Sequence, residues 1–409
     1  MNEIELALTN LDDAGYRELV ARADGPELDA LLAGVQMKGR KLVANKTFGK
    51  GARGAKKLAL EARLREVIGL AGERSSVAHE LLQTTALTLQ GGGKGAELDL
   101  RGLTHWTALR TLEVEDGGRV SGLDSLAQLT QLRLTADEID LRELAPLTGC
   151  ALYLTAAVMH HPESLADGPV FASLGLRTRP PFPAVRAREA RFSTLVDVEE
   201  LGPIVGDIEI LGIYSEYGKR VRLGRIAHLQ QLDCFNFTSI VADEPPRELL
   251  SADLNITPSL DFLRDWPIVE LSLGSPVPDL APLPRTIRRL RLGARDAAER
   301  ILTAPALDLE HLVLDAYGGP GRAVYADLKS AVARYPGLRS LGVRGYNLES
   351  LFELPDLAEL EELDLTGCSG FLELAHVETR YPALKRLIVT GTCLRAKDLA
   401  GLTRVEVVR

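Results

Sequence analysis

The stretch Leu360-Glu-Glu-Leu363-Asp-Leu365-Thr-Gly-Cys368 constrains this chain more than any other. Its leucines fall in the pattern L-x-x-L-x-L, with a Cys at the turn that follows. Successive side chains on a strand point to opposite faces, so the leucines share one side and the residues between them share the other. One such unit cannot cover its own apolar face; it must stack on copies of itself. The beat does recur. With the middle Leu as phase marker, it falls at Leu112, Leu132, Leu152 and Leu174, then less regularly at Ala190 and Ile208. Leu232, Leu254, Leu271, Leu290, Leu312, Leu341, Leu363 and Leu387 follow, with a last strand near Val405 and Val407. A first strand is predicted at Ala86-Leu87-Thr88-Leu89.

These matches resemble the leucine-rich repeat superfamily over residues ~85–409. The resemblance implies an α/β solenoid, a curved stack of about 14–15 strands in a parallel concave sheet. It departs from the family at the turn. Few repeats keep the turn Asn; Cys368 takes that position in one, and Asn347 lies one place beyond it in another. Residues 177–230 match poorly and contain Pro180, Pro181 and Pro183, which reads as a kink or an inserted loop. Short repeats leave room only for extended or 3₁₀ backs, whereas longer ones can carry helices. Tyr325, Leu328 and Val332 form one helical stripe, and Leu374, Val377 and Tyr381 another. Arg334-Tyr-Pro-Gly-Leu338 and Arg380-Tyr-Pro-Ala-Leu384 match in pattern, so the self-similarity goes beyond leucine spacing.

Upstream the pattern is helical. Asp12 or Asp13 caps a helix running to about residue 23, with Gly25 closing it and Pro26 opening a second. Leu28, Leu31, Leu32 and Val35 lie on one face of that second helix. Helices are also predicted over 56–70, with Leu60, Leu64, Val67 and Ile68 on one face, and over 76–83. Between them, Gly39, Gly49, Gly51 and Gly54 lie among Lys38, Arg40, Lys41, Lys46, Lys50, Arg53, Lys56 and Lys57, which reads as a loop. The expected division is an N-terminal α-helical cap or adaptor domain over residues 1–80, with the basic Gly-rich loop at 38–57, and a repeat domain over 81–409. Solenoid ends need such covering.

Composition narrows the function. A net charge of −9 gives no global reason to bind nucleic acid. Aromatic residues are only 5%, so the core must be aliphatic. The N-terminus lacks a signal-peptide pattern and no apolar run approaches ~18 residues, so a cytoplasmic, non-membrane location is expected. The excess of Arg over Lys points to a bacterial source. The four cysteines lack C-x-x-C spacing, and the histidines lack H-E-x-x-H spacing. Bacterial effector ligases with such repeats use a C-x-D nucleophile, and no Cys here sits in that context. No catalytic residue, metal site or cofactor is nominated.

What remains is the outward side of the strands. The candidates are Tyr153, Arg191, Glu209, Asp233, Phe235, Asp253, Asn255, Arg289, Arg291, Glu362 and Asp364. Tyr and Arg dominate measured interface anchors, so a protein partner is expected on the concave strand face. The expected function is a non-enzymatic interaction scaffold, of which a bacterial adaptor or an immunity-type protein is one form. The alternative is nucleic-acid or anion binding through the 38–57 loop, with Lys50, Arg53, Lys56 and Lys57 at the start of a helix.

Overall fold

The computed structural model describes residues 14–43, 55–91, 95–168, 170–215, 220–255, 259–316, 324, 326–370, 374 and 376–409. It divides into two compact units: Met1–Val196 with Gly206–Ile208, and Asp197–Val205 with Glu209–Arg409. No helix among the described residues is long and apolar enough to cross a membrane.

The N-terminal unit opens with helices α1 (Gly15–Arg22) and α2 (Gly25–Leu31). Gly25 begins α2 instead of closing α1, because Asp24 is the cap. Its carboxylate accepts from the Glu27 N–H at 2.9 Å, while Glu27 accepts from the Asp24 N–H, a reciprocal capping box with Pro26 in the first turn. Asp12 and Asp13 lie outside the described residues. Arg74 donates to the carbonyls of Val20, Ala21 and Ala23, closing the open C-terminal end of α1.

The basic segment is not a loop throughout. Strands β1 (Gln36–Lys38) and β2 (Lys41–Val43) form an antiparallel hairpin, with Gly39 at φ +60° in its turn. Helices α3 (Ala55–Ala71) and α4 (Ser76–Leu82) follow. Leu60, Leu64, Val67 and Ile68 of α3 are buried, as their spacing predicts.

Six parallel strands then stack in this unit: β3 (Ala86–Gln90), β5 (Thr111–Ser121), β6 (Gln131–Asp140), β7 (Ala151–His160), β8 (Phe171–Thr178) and β9 (Val185–Thr194). The short β4 (Glu97–Asp99) joins them from behind, and α5 (Glu163–Ala166) lies on the β7–β8 connection. Leu87, Leu112, Leu132, Leu152, Leu174 and Ala190 stand side by side, as the phase markers require. Most of these strands are longer than the repeat pattern suggests, because β5, β6 and β7 turn a corner and continue on the back. The first half of β5 pairs with β3 and its end, Arg119–Ser121, pairs with β4. At the corner Gly117, Ala136 and Ala156 are in register, a row of residues small enough for the chain to bend tightly. A Cβ on Gly117 would come within 2.9 Å of Val120.

The hairpin covers the free edge of β3. The Thr88 N–H donates to the Arg40 carbonyl at 2.6 Å, so a sheet edge that would otherwise offer unpaired donors is occupied. On the back, the Trp106 indole donates to the Arg65 carbonyl at 3.3 Å, and Gly102 lies close against Ala62 and Glu66 of α3.

The C-terminal unit continues with β10 (Glu200–Tyr214), β12 (Gln231–Phe235), β14 (Ser251–Asn255), β15 (Glu270–Leu273), β16 (Arg289–Gly293), β17 (His311–Asp315), β18 (Ser340–Arg344), β19 (Glu362–Asp364), β20 (Arg386–Ile388) and β21 (Glu406–Val408) in one parallel ladder. Behind it β11 (Arg220–Ala227) pairs with β13 (Ser239–Ala242). The core row runs Leu211, Leu232, Ala252, Leu271, Leu290, Leu312, Leu341, Leu363, Leu387, Val407. Two phase markers therefore shift. Leu211, not Ile208, aligns with Leu232, and Ala252, not Leu254, holds the next place. Leu254 instead joins Ile213, Cys234 and Leu273 in the following core row. The region 177–230 is built largely of strands, not of an inserted loop.

The longer repeats carry short helices: α6 (Ala297–Arg300), α7 (Leu328–Ala333), α8 (Val377–Arg380) and α9 (Ala396–Leu399). Leu328, Val332, Leu374 and Val377 are buried as predicted, and Tyr325 lies outside the described residues. Tyr381 is buried just past the end of α8. The matching Arg-Tyr-Pro segments have a common cause. Tyr335 and Tyr381 fill the core while the preceding arginine reaches back to the previous turn. Arg334 donates to the carbonyls of Ile301, Leu302 and Ala304, and Arg380 to that of Leu354 at 2.6 Å and to Asp356 at 2.5 Å.

Candidate interaction surface

In the C-terminal unit the register lays the outward side chains in three rows. The first runs Gln231, Ser251, Glu270, Arg289, His311, Ser340, Glu362, Arg386, Glu406. The second runs Gly212, Asp233, Asp253, Ser272, Arg291, Val313, Gly342, Asp364. The third holds Tyr214, Phe235 and Asn255, and farther along Gly293, Asp315 and Arg344. Asp233, Asp253, Arg291 and Asp364 thus share a row, while Arg289 and Glu362 lie in the row before and Phe235 and Asn255 in the row after. Glu209 belongs to none of them, since Ile210 is the residue level with Gln231. Tyr153 and Arg191 lie in the N-terminal unit, in the row Glu113, Arg133, Tyr153, Gly175, Arg191. There the Arg133 guanidinium sits 5.8 Å from the Tyr153 ring, and Gly175 makes room for it: a Cβ would come within 2.9 Å of the ring. Arg191 pairs with Glu189 at 2.6 Å.

The arginines of the C-terminal rows are each paired with a carboxylate on an adjoining strand. Arg289 meets Glu270 at 3.6 Å, Arg291 meets Asp315 at 3.2 Å, Arg344 meets Asp364 at 2.6 Å and Arg386 meets Glu362 at 3.3 Å. Asp364 is buried, and also accepts from the backbone and hydroxyl of Thr366.

Asp233 and Asp253 stand level on β12 and β14, and among the described residues neither forms an ion pair. Gln231 donates to Asp233 at 3.2 Å. Burial raises the Asp253 carboxyl above its ordinary range, the charge of Asp233 raises it further, and a hydrogen bond from Ser272 and the charge of Arg291 oppose this. Beside them the Tyr214 and Phe235 rings stack, 5.1 Å apart and 3° from parallel. Phe235, Asp253, Asn255, Ser272, Arg291 and Arg295 line a depression of about 670 Å³. An adjoining one of about 570 Å³ extends it past Asp233, Glu270, Arg289 and Val313. Gly274 keeps this floor open, since a Cβ there would lie 2.5 Å from the Asn255 amide oxygen. Tyr214 and Ser272 were not singled out in the sequence. The signal for Tyr214 was there, three residues past Leu211, once the β10 phase is corrected.

The leucine rows and their parallel ladders decide the architecture. Each unit is a stack of leucine-rich repeats. No family model matches the chain, and no curated protein matches it. Among solved structures, an internalin from Listeria monocytogenes is 14% identical at a TM-score of 0.31, covering 84% of this chain and 94% of its own. A leucine-rich repeat protein from Leptospira interrogans is 12% identical at a TM-score of 0.29, covering 82% and 92%.

The buried thiols of these repeats, Cys150, Cys234 and Cys368, are structural. Cys368, at the turn position, donates from Sγ to the Val343 carbonyl of the previous repeat at 2.9 Å, replacing the amide donor of a turn Asn. Burial pushes the Cys150 and Cys368 thiols up to about 12 and raises Cys234 as well, the reverse of what a nucleophile needs. Among the described residues no three His, Cys, Asp or Glu side chains converge as metal ligands. Of the basic set, Lys50, Arg53 and the side chain of Lys56 lie outside the described residues. Lys57 faces Glu61 on the next turn of α3 at 3.6 Å, Lys38 stands opposite Lys41 in the hairpin, and Lys41 meets Glu115 at 3.6 Å.

Proposed function

We propose that the protein is a non-enzymatic scaffold that binds a protein partner on the outward strand face of its C-terminal unit. One observation carries this reading: half-exposed aromatic, arginine and aspartate side chains stand in strict register around an open depression. Such a face presents aligned anchors to one partner at once, and aromatic and Arg residues are where binding energy concentrates. The backs of the same repeats change length and chemistry from one to the next and offer no comparable row. The biological form is an adaptor or an immunity-type protein, whose task is to hold or block a partner with no reactive group of its own. The free cysteines fit a reducing, cytoplasmic setting. Residues 1–80 serve as the cap of the stack, a role supported by the hairpin on the edge of β3 and by the Trp106–Arg65 contact.

The test compares proteins retained from host lysate by the full chain, by Phe235→Arg and Val313→Arg, and by the back-face variant Lys329→Glu. Specific species lost only with the two outward substitutions, at unchanged melting temperature, support the reading. Species kept by those variants and lost with Lys329→Glu overturn it.

A further inference from the structure

Among the described residues the arginines of the C-terminal rows are each paired with a carboxylate, whereas the neighbouring Asp233 and Asp253 form no ion pair. Asp233 and Asp253 occupy the same level of adjacent strands, so roughly 4.8 Å of sheet separates their backbones. Like charges directly opposite one another on a sheet destabilise it. Arg291, whose charge reaches Asp253, is turned toward Asp315 on the other side, and the hydrogen bonds come from neutral donors, Gln231 and Ser272. Asparagine at either position would serve the fold at least as well.

The surroundings show what could use the arrangement. One face of the Phe235 ring is covered by Tyr214, and the ring lines the depression beyond Asp253. A cation placed there lies against Asp253 and the Phe235 ring, with Asp233 lining the adjoining depression; Arg291, engaged by Asp315, and Arg295 also line it. Aromatic faces attract cations, and a guanidinium can bond two carboxylates while lying flat on a ring. A metal ion is poorly served, since among the described residues no third carboxylate, His or Cys converges on the pair.

We propose that this notch receives an arginine or lysine side chain presented by the partner protein. The inference rests on the scaffold reading above and specifies what the partner must bring. The partner's cation supplies the charge that the rows lack, so specificity comes from a mismatch the fold leaves open.

The experiment pans a phage-displayed random peptide library on the full-length protein and measures the selected peptides by fluorescence polarisation. The selected peptides are expected to share an Arg or Lys whose replacement by citrulline or norleucine weakens binding tenfold or more. Asp233→Asn combined with Asp253→Asn should weaken the parent peptide by a similar factor, at unchanged melting temperature. The same double variant should leave the already weakened neutral peptide almost unaffected, because both changes remove one interaction. Peptides that lose affinity with Phe235→Ala but ignore the double Asn variant, or whose basic residues are dispensable, overturn this inference and leave the scaffold reading standing. If no peptide is retained, or none responds to any outward-face substitution, both fail.

Discussion

The two units solve one problem in different ways. Each strand delivers leucines to the core, and the chain must then return without leaving backbone groups unpaired. In the N-terminal unit Leu112, Leu132 and Leu152 stand twenty residues apart. The chain returns by bending a strand of ten or eleven residues around a corner and hydrogen-bonding its second half to the neighbouring repeat. In the C-terminal unit strands β12 to β21 of the main ladder are three to five residues long, and the chain returns through 3₁₀ turns and short helices that bond within themselves. Repeats of nearly equal length occur in both, so length alone does not choose. Small residues at the corner, Gly117, Ala136 and Ala156, permit the bent strand.

The sharpest test removes the helical layer. Deleting residues 1–82 bares the edge of β3 and the Leu87 row, and should yield aggregates by size-exclusion chromatography and light scattering. A soluble monomer would instead make the helices an independent adaptor. Next in size, Leu363→Asp places an unpaired charge in the C-terminal core, where Leu363 is fully buried, at a cost of several kcal/mol. Circular dichroism should show lost strand signal, and proteolysis should cut within 341–388. An unchanged melt would mean the register is wrong. Ala156→Leu attacks the corner of the N-terminal unit. Overpacking there should cost about 1–3 kcal/mol in chemical denaturation, and a neutral result would remove the corner as an explanation of the long strands.

The smallest effect runs the other way. Asp253 is raised in the folded state, so folding favours its protonated form, and stability present below the unfolded pKa is lost as pH rises through the folded one. Asp253→Asn should therefore raise the melting temperature slightly at neutral pH, with the gain vanishing in acid. A drop at neutral pH would show that the carboxylate supports the fold instead of being held for a ligand.

The leucine beat made most of this architecture legible, since core rows are specified by side chains a reader can see. It failed where the core residue was small or the strand long. Ala252 gives no apolar signal beside Leu254, and β10 carries Ile208 and Leu211 along one continuous strand, so the wrong one set the phase. Glu209 fell outside the rows for the same reason, while Asn255 is outward as expected, in the third row. Gly117-Gly118 looks like a turn, and only packing against Ala136 reveals a corner. The hairpin at 36–43 was hidden because its lysines and glycine fit a solvated loop equally well. At the candidate surface, residue types were readable, but pairing was not. Arg291 and Asp253 both look available in the sequence, and only the structure shows the arginine already engaged.

The arginine that precedes each buried Tyr-Pro bears on how this stack comes apart. Repeats that touch only their neighbours can open progressively, each step set by one interface. Arg334 and Arg380 do not sit at every interface. Arg380 fastens its repeat to Leu354 and Asp356, and Arg334 fastens its own to Ile301, Leu302 and Ala304, with a repeat between them that carries no such arginine. Opening that has reached β20 must break the Arg380 tie before β19 loosens, and then meets the Arg334 tie before β17. Amide exchange in this half of the molecule should accordingly fall into tiers, with protection stepping at these two residues instead of declining smoothly along the ladder.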